Sequence, residues 1–535
     1  MAFAEPENQG SLILFEDAHL LVVNKPAGMN THAPAPFAGE GIYDWLRHRE
    51  PRWATLAIIH RLDKETSGVI VFSKTPLANR SLTEQFAGRS VQKKYLLLTD
   101  REATPAASVA RSSLVRAGGR YLSRPLRAGA ELAETRFVRL DTEAAGHTLV
   151  EAEPITGRTH QIRAHAAERG FPILGDTLYG GTPWPRVCLH AASLTLKHPA
   201  EGRPMTFNVR PDFADDARMA LRTAVVDAEH TNAFRLIHGA SDGWPGWYLD
   251  RLGDFVLSQS ESALTKQQQT HLAKLPGVSG VYHKLLNRQL RRVRAEEASS
   301  QHGFGEVAPE RFVVCENGVQ FELSFNEGYS VGLFLDQRDN RRRFLANHVA
   351  AAFPIFEGGP AGREVLNTFA YTCGFSVCAA RAGARSTSLD LSRKHLEWGR
   401  RNFALNGLNP APHDFIYGEV FDWLRRLVKK QRVFDVIVLD PPTFSQSREH
   451  GVFRAEKDYG KLVSAALPLL KPGGVLFAST NAAGLGPEDF LRQVSAAVVK
   501  AGRKILQQHY APQPPDFPIT RAEPGYLKTV WMRVR

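Results

Sequence analysis

The chain has 535 residues with 43% hydrophobic and 23% charged side chains, ordinary globular values with room for about three or four domains, which excludes a small stapled scaffold and a long disordered tract. Its four cysteines lack the spacing of a disulfide framework or a structural zinc site, and no apolar stretch nears the ~18 residues that span a bilayer, so neither a metal nor a membrane is expected. A formal charge of +12 favours a polyanionic partner, and Glu5 and Glu7 stand where an export signal would be basic, so a cytoplasmic location is expected.

In chain order, residues 11–24 read as two short strands split by a Glu-Asp turn, closed by Pro26 and Gly28. Further strands are expected at 69–73, 94–99 and 147–154, giving a mostly antiparallel α+β domain over residues 1–213. Within it, residues 103–130 carry Arg111, Arg116, Arg120, Arg124 and Arg127 with no acid among them, a charged loop suited to phosphate contact. A polar, alanine-rich stretch at 214–232 reads as a linker or connecting helix, and 233–325 as a small α+β intermediate domain. Arg288, Arg291, Arg292 and Arg294 form a second basic cluster there. From 326 to 535, strands alternate with helices (EVLNTF, SVCAARAG, STSLDLS, KHLEWGRRNFALNG, FDVIVLDPP, YGKLVSAALPLLKPGG, VLFAST), the signature of an α/β Rossmann-like parallel sheet.

Two polar knots interrupt the first domain. His60 to Gly68 (HRLDKETSG) sets Asp63 in a loop between two apolar runs, and Gly157 to His165 (GRTHQIRAH) packs two arginines and two histidines into nine residues. With LGDTLYGG and LHAASLTLKHP, these resemble the successive motifs of RluA-type RNA pseudouridine synthases. NKPAG at 24–28 and QKKY at 92–95 are similar to two more, and the likeness covers about residues 11–210. The resemblance implies isomerisation of a flipped uridine without a cofactor. It makes Asp63 the catalytic aspartate, suited either to attack the sugar or to take a proton from it. Arg163 would pair with that carboxylate, orienting it and favouring its charged form. Tyr95 would lie beneath the flipped base, and Leu189 would line its pocket.

In the last third, Asn367 to Gly374 (NTFAYTCG) follows a strand and opens a helix, and Asp390 ends the next strand, where a carboxylate can accept the hydroxyls of a ribose. Asp440-Pro441-Pro442-Thr443-Phe444 caps a buried strand at the edge where parallel sheets bind ligands. With LDLS and KPGGVLFAST, these are similar to the ordered motifs of class I S-adenosylmethionine-dependent methyltransferases, of the 23S rRNA group that makes 5-methylcytosine or 7-methylguanine. The likeness covers about 233–535. It implies S-adenosylmethionine as cofactor, with Asn367, Phe369, Tyr371 and Gly374 on its methionine side, Asp390 on its ribose, and Gln337 and Arg338 at its approach. Asp440, Pro442 and Phe444 would face the target base. Cytosine C5 methylation needs a thiolate, yet Asn481 stands about where that group's cysteine belongs, so a base nitrogen, guanine N7 foremost, is the expected acceptor. The whole reads as a bifunctional modifier of RNA, 23S rRNA foremost. The alternatives are cytosine C5 as acceptor, or one half serving only to bind RNA.

Overall fold

The computed structural model describes residues 12–127, 129–142, 146–214, 216–286, 299–327, 330–447 and 451–535; the second arginine cluster, at 288–294, lies outside them. The chain divides into two compact units, one made of residues up to 34, 40–45 and 55–225, the other of 35–39, 46–54 and 226–535. Among the described residues no helix is long and apolar enough to cross a membrane.

In the first unit, β1 (Ile13–Glu16) and β2 (Leu20–Lys25) form a hairpin whose turn is set by Asp17, which accepts the N–H groups of His19 and Leu20 at 2.7 Å. Then come β3 (Ala57–Ile58), β4 (Ser67–Ser73), β5 (Gln92–Thr99), β6 (Ala107–Ala117), β7 (Arg120–Arg124), β8 (Leu132–Thr142), β9 (Thr148–Pro154), β10 (Leu189–Lys197) and β11 (Pro204–Asn208). They build one sheet in the order β1-β2-β4-β10-β5-β9-β8-β6-β7, with β3 on β4 and β11 on β10. Pairing is antiparallel except between β4 and β10. That parallel pair is close: Gly68 has φ 113°, and a Cβ there would overlap the Ala191 backbone, so only glycine fits. Three helices precede the linker: α1 (Ile42–Arg49), α2 (Pro76–Ala87) and α3 (Gln161–Glu168). The residues around α3 and the sheet form one core that includes Leu97, Phe137, Ile162 and Phe171.

The arginine-rich stretch is not a loop. It is the β6–β7 hairpin, in regular register from Ser113↔Arg124 to Ala117↔Arg120. Strand side chains alternate between faces and cross-strand partners share one. Ser112 is buried and bonds His165 of α3 at 2.9 Å, so even-numbered β6 residues face α3. Arg116 and its partner Tyr121 share that face, whereas Arg111, Arg120 and Arg124 project from the other; Arg127 lies beyond β7. Arg111 is further tied to Glu134 at 3.0 Å.

After α4 (Ala217–Val225), the second unit opens with β12 (Ala233–His238), β13 (Trp247–Leu252), β14 (Phe255–Ser260), α5 (Lys266–Ala273), β15 (Gly280–Leu285) and β16 (Gln301–Gly305), whose strands form one sheet in sequence order. β17 (Phe312–Glu316) and β18 (Val319–Leu323) pair beside it in the chain. These residues were expected to form a domain of their own. One face of this segment has its own core of Leu236, Trp247, Leu249, Val256, Leu272 and Val281, while Leu252, Phe255, Tyr282 and Val314 share a core with Val365, Phe375 and Phe477 of the same compact unit.

The main sheet comprises β19 (Glu364–Thr368), β20 (Arg385–Asp390), β21 (Asp414–Tyr417), β22 (Phe434–Leu439), β25 (Leu470–Thr480), β26 (Ile505–Ala511) and β27 (Lys528–Val534). Between β22 and β25 lies a small hairpin, β23 (Phe444–Ser447) and β24 (Gly451–Arg454). The order is β21-β20-β19-β22-β25-β27-β26, parallel except at β27. Both faces are covered, as the near-continuous apolar strands require. Val436 and Val438 join one core layer and Ile437 and Leu439 the other. Residues of α6 (Arg338–Ala346), α7 (Gly374–Ala382) and α8 (Arg393–Leu405) fill the first layer; those of α9 (Val420–Lys429), α10 (Ala455–Ala466) and α11 (Pro487–Lys500) fill the second.

Candidate active sites

In the first unit a cavity of about 1120 Å³ is lined by Asp63, Tyr95, Leu189, His160 and Arg163 among others. The structure thus gathers onto one concavity residues spread over more than a hundred positions. Asp63 sits in the loop before β4, clamped on both sides. Thr31 takes the Leu62 N–H and gives its hydroxyl to the Leu62 carbonyl, while the Lys64 carbonyl accepts from Gly28 N–H and from Lys25 Nζ. Lys25 also reaches the carbonyls of Pro26 and Met29 at 2.8 and 2.7 Å, and burial pulls its amine down to about 7.

Arg163 does face Asp63, Nη1 to Oδ2 at 3.8 Å, but its firm partner is one the motifs left unassigned. Asp176, within LGDTLYGG, takes Nε and Nη2 at 2.7 and 2.8 Å in a buried fork. The guanidinium is therefore fixed from behind, with one nitrogen left to address Asp63. His160 was also unassigned, and its Nε2 is 4.0 Å from the same Oδ2. Tyr95, on β5, is half-buried against the core, and its desolvation with the Asp63 charge pushes its hydroxyl up, so it stays protonated as a stacking surface and donor. Leu189 is 2% exposed at the start of β10 and forms an apolar wall.

In the second unit the loop between β19 and α7 holds Phe369, Tyr371 and Cys373 at φ 54°, 49° and 64°, three non-glycine residues in the left-handed region. Such backbone costs energy and persists where surroundings dictate it. Here Asp390 accepts Tyr371 N–H and Ser392 N–H, each at 2.8 Å, and Thr372 Oγ1 donates to the Gly332 carbonyl at 2.7 Å. Asp390 uses one lone pair per oxygen on these bonds, and a carboxylate oxygen has a second with which to accept. Cys373 packs against the bare Cα of Gly399 on α8, where a Cβ would overlap its Sγ. The bent loop, the carboxylate at the end of β20 and Gly374 opening α7 fit a nucleoside-like cofactor.

Two expected cofactor residues do other work. Arg338 is buried in a bidentate pair with Asp516, at 2.6 and 2.8 Å, and the Asn367 amide donates to Ser376 inside the core at 2.9 Å. Gln337 joins Asp440: its amide donates to Asp440 Oδ2 at 3.1 Å and to Ser479 Oγ at 2.8 Å. Burial, with the nearby Asp336 charge, pushes the Asp440 carboxyl up to about 6. Tyr459, fully buried, sets its hydroxyl 2.7 Å from the Leu439 carbonyl and accepts Ser479 N–H at 2.8 Å, joining the ends of β22 and β25 beneath the Pro-Pro turn. Pro442 is exposed and Phe444 half-buried beyond it.

A parallel sheet with a bent loop after one strand, an acid ending the next and Asp-Pro-Pro ending a third defines a methyl-transferring enzyme. The first unit's cavity, built around a carboxylate, an arginine and a tyrosine, defines a base-isomerising one. Residues 260–533 match the family described as S-adenosylmethionine-dependent methyltransferase, and residues 19–168 match RNA pseudouridylate synthase. The chain belongs to the S-adenosylmethionine-dependent methyltransferases and carries an RluA-type pseudouridine synthase domain ahead of that fold. It is similar to a ribosomal RNA large subunit methyltransferase of Deinococcus radiodurans, 34% identical over 336 residues, 61% of this chain and 78% of that protein. It is also similar to ribosomal RNA large subunit methyltransferase I of Aeromonas hydrophila, 34% identical over 323 residues, covering 59% and 78%. Among solved structures, the human RNA pseudouridylate synthase domain containing protein 4 matches 39% of this chain and 92% of its own at 29% identity, with a TM-score of 0.31.

Proposed function

We propose that this bifunctional enzyme modifies 23S ribosomal RNA twice, turning a uridine into pseudouridine in the first unit and methylating a base nitrogen, guanine N7 foremost, in the second. On this reading it works in the cytoplasm, on RNA. For the isomerisation, Asp63 begins ionised and either attacks the sugar or removes a proton from it. The N1–C1′ bond breaks, C5 bonds to C1′, and the C5 proton leaves as N1 gains one. Arg163 Nη1 holds the carboxylate in place, and Tyr95 supports the turned ring.

The choice of nitrogen rests on the fate of the four cysteines. C5 methylation requires a thiolate beside the cytosine ring. Cys188 is buried in the first unit, and Cys315 lies on β17 with Sγ 3.2 Å from the His230 carbonyl. Cys373 and Cys378 are buried, and burial pushes the Cys373 thiol up to about 12 and the Cys378 thiol higher. A nitrogen lone pair needs only in-line placement. When bound, S-adenosylmethionine supplies an electrophilic methyl group; Asp390 would hold its ribose and the 369–374 loop its methionine end. An ionised Asp440 can accept the N1–H and amine hydrogens of guanine, which turns N7 outward, while Gln337 fixes the carboxylate.

The test is to incubate the protein with unmodified 23S RNA, with and without S-adenosylmethionine, and to analyse the nucleosides by mass spectrometry with a pseudouridine-specific label. Pseudouridine in both samples and 7-methylguanosine only with the cofactor is the expected result. 5-Methylcytidine would overturn the nitrogen assignment, and a methyl-free digest would overturn the shared RNA.

A further inference from the structure

A line of contacts runs from the arginine hairpin toward Asp63, hydrogen-bonded as far as His160 and ending 4.0 Å short of the carboxylate. Tyr121, on the α3 face of β7, donates its backbone N–H to Tyr179 Oη at 2.7 Å. Tyr179 Oη lies 2.9 Å from Nδ1 of His160, and Nε2 of that ring lies 4.0 Å from Asp63 Oδ2. His160 has φ 55° at the start of α3, and its ring stands edge-on to Tyr121 and Tyr179 at 5.6 and 5.7 Å. Burial holds the imidazole below its ordinary value, against the pull of Asp63, which favours the neutral ring.

A neutral ring has one N–H, and the surroundings decide where it sits. The Tyr179 oxygen already accepts the Tyr121 N–H, so its own hydrogen is available for Nδ1. That leaves the ring hydrogen on Nε2, directed at Asp63. The opposite tautomer would press a nitrogen lone pair toward a negative oxygen. His160 and Arg163 then address the same oxygen, Oδ2.

We propose that His160 is a positioning residue for pseudouridine formation, giving its Nε2–H to Asp63 and, through Tyr179, coupling the seat of the β6–β7 hairpin to that carboxylate. This rests on the reading of the first unit as a pseudouridine synthase. Arg116, on β6, is the cross-strand partner of Tyr121 on β7, so an RNA phosphate drawn to it acts on the hairpin that anchors the line. The arrangement is a second support for Asp63 beside the Asp176 fork, and it meets that fork where the Arg163 guanidinium lies 5.1 Å over the Tyr179 ring.

The test uses the full chain and in-vitro transcribed 23S RNA carrying tritium at uridine C5, released when C5 bonds to the sugar. Tyr179→Phe keeps the ring and removes only the relay hydroxyl; kcat should fall about tenfold with KM unchanged within about twofold, the sign of a group acting after binding. His160→Ala should lose about a hundredfold, and His160→Gln, which restores an N–H near the Nε2 position, should recover most of it. Nitrogen-15 shifts of His160 in the RNA-free protein should report Nε2–H. A wild-type kcat in Tyr179→Phe, a Gln variant no better than Ala, or a proton on Nδ1 would overturn the proposal. If the wild-type protein releases no tritium from this RNA, the reading of the first unit on 23S RNA fails, while the nitrogen shifts still decide the tautomer.

Discussion

Replacing Asp176 by Asn isolates the support behind the active-site arginine. Asp176 and Arg163 are 1% and 6% exposed at their side chains and share two hydrogen bonds, at 2.7 and 2.8 Å. The amide has nearly the same shape but keeps one acceptor oxygen, loses the charge and presents an NH2 to a guanidinium N–H. A buried ion pair broken from one side costs about 3–5 kcal/mol. Asp63, 3.8 Å from Nη1, still offers partial compensation, so the lower end, about 3 kcal/mol, is expected. That is roughly a hundredfold in the folding equilibrium of the first unit. Freed from Asp176, the guanidinium should close on Asp63 and occupy the carboxylate, lowering kcat for pseudouridine formation by at least about tenfold. Urea unfolding with and without S-adenosylhomocysteine separates the two units, since the ligand raises only the transition of the unit that binds it. A first-unit transition displaced by less than about 0.5 kcal/mol together with a wild-type kcat would refute the claim that Asp176 holds Arg163.

Asp63→Ala should abolish tritium release while leaving methyl transfer at its wild-type rate; loss of both activities would show that the two reactions depend on one another. Asp390→Ala should weaken S-adenosylmethionine binding by about tenfold or more in calorimetry, because it removes the ribose acceptor and releases the Tyr371 N–H that shapes the loop. Burial raises Asp440 to about 6, so the carboxylate is charged above that value and neutral below it. Methyl transfer should therefore climb with pH through about 6, and the climb should disappear in Asp440→Asn; a flat wild-type profile there would remove this group from the reaction. Lys25→Met should destabilise the first unit by about 3 kcal/mol, because the Pro26 and Met29 carbonyls lose the Lys25 donor and the Lys64 carbonyl is left with Gly28 N–H, an effect that urea unfolding measures directly.

Much of this architecture is written in local pattern. The run FDVIVLD announces a strand buried on both faces, and Val436, Ile437, Val438 and Leu439 do alternate between two apolar layers. The β6–β7 hairpin was obscured because its arginines interrupt the apolar alternation of strands half open to solvent, leaving composition to suggest a loop. Partnerships were harder still. Asp176 lies 13 residues from Arg163 in a motif with no outward sign that its acid is buried, and the two meet only because α3 turns the chain back. Arg338 and Asn367 were placed beside the cofactor by position, yet sequence cannot say which way a side chain points from a strand or helix end. Both point inward, to Asp516 and Ser376. Gln337, one residue from Arg338, points to Asp440. The intermediate segment has the strand pattern of a domain, and one of its apolar faces closes within it around Trp247 and Val256 while the other meets the core around Phe375 and Phe477, a division that alternation alone does not reveal.

Gly68 closes the motif that carries Asp63, yet its contribution is one of spacing. It lets β4 lie against β10 at Ala191, and one residue on either side Ser67 hydrogen-bonds His190 at 2.8 Å, so the two strands are pinned where both enter the cavity. Asp63 leads into one of these strands and Leu189 begins the other. The separation between the reacting carboxylate and the apolar wall is therefore a property of the sheet rather than of the loop. Grafting HRLDKETS onto another scaffold would transplant the chemical group without its ruler, the paired β4 and β10 strands.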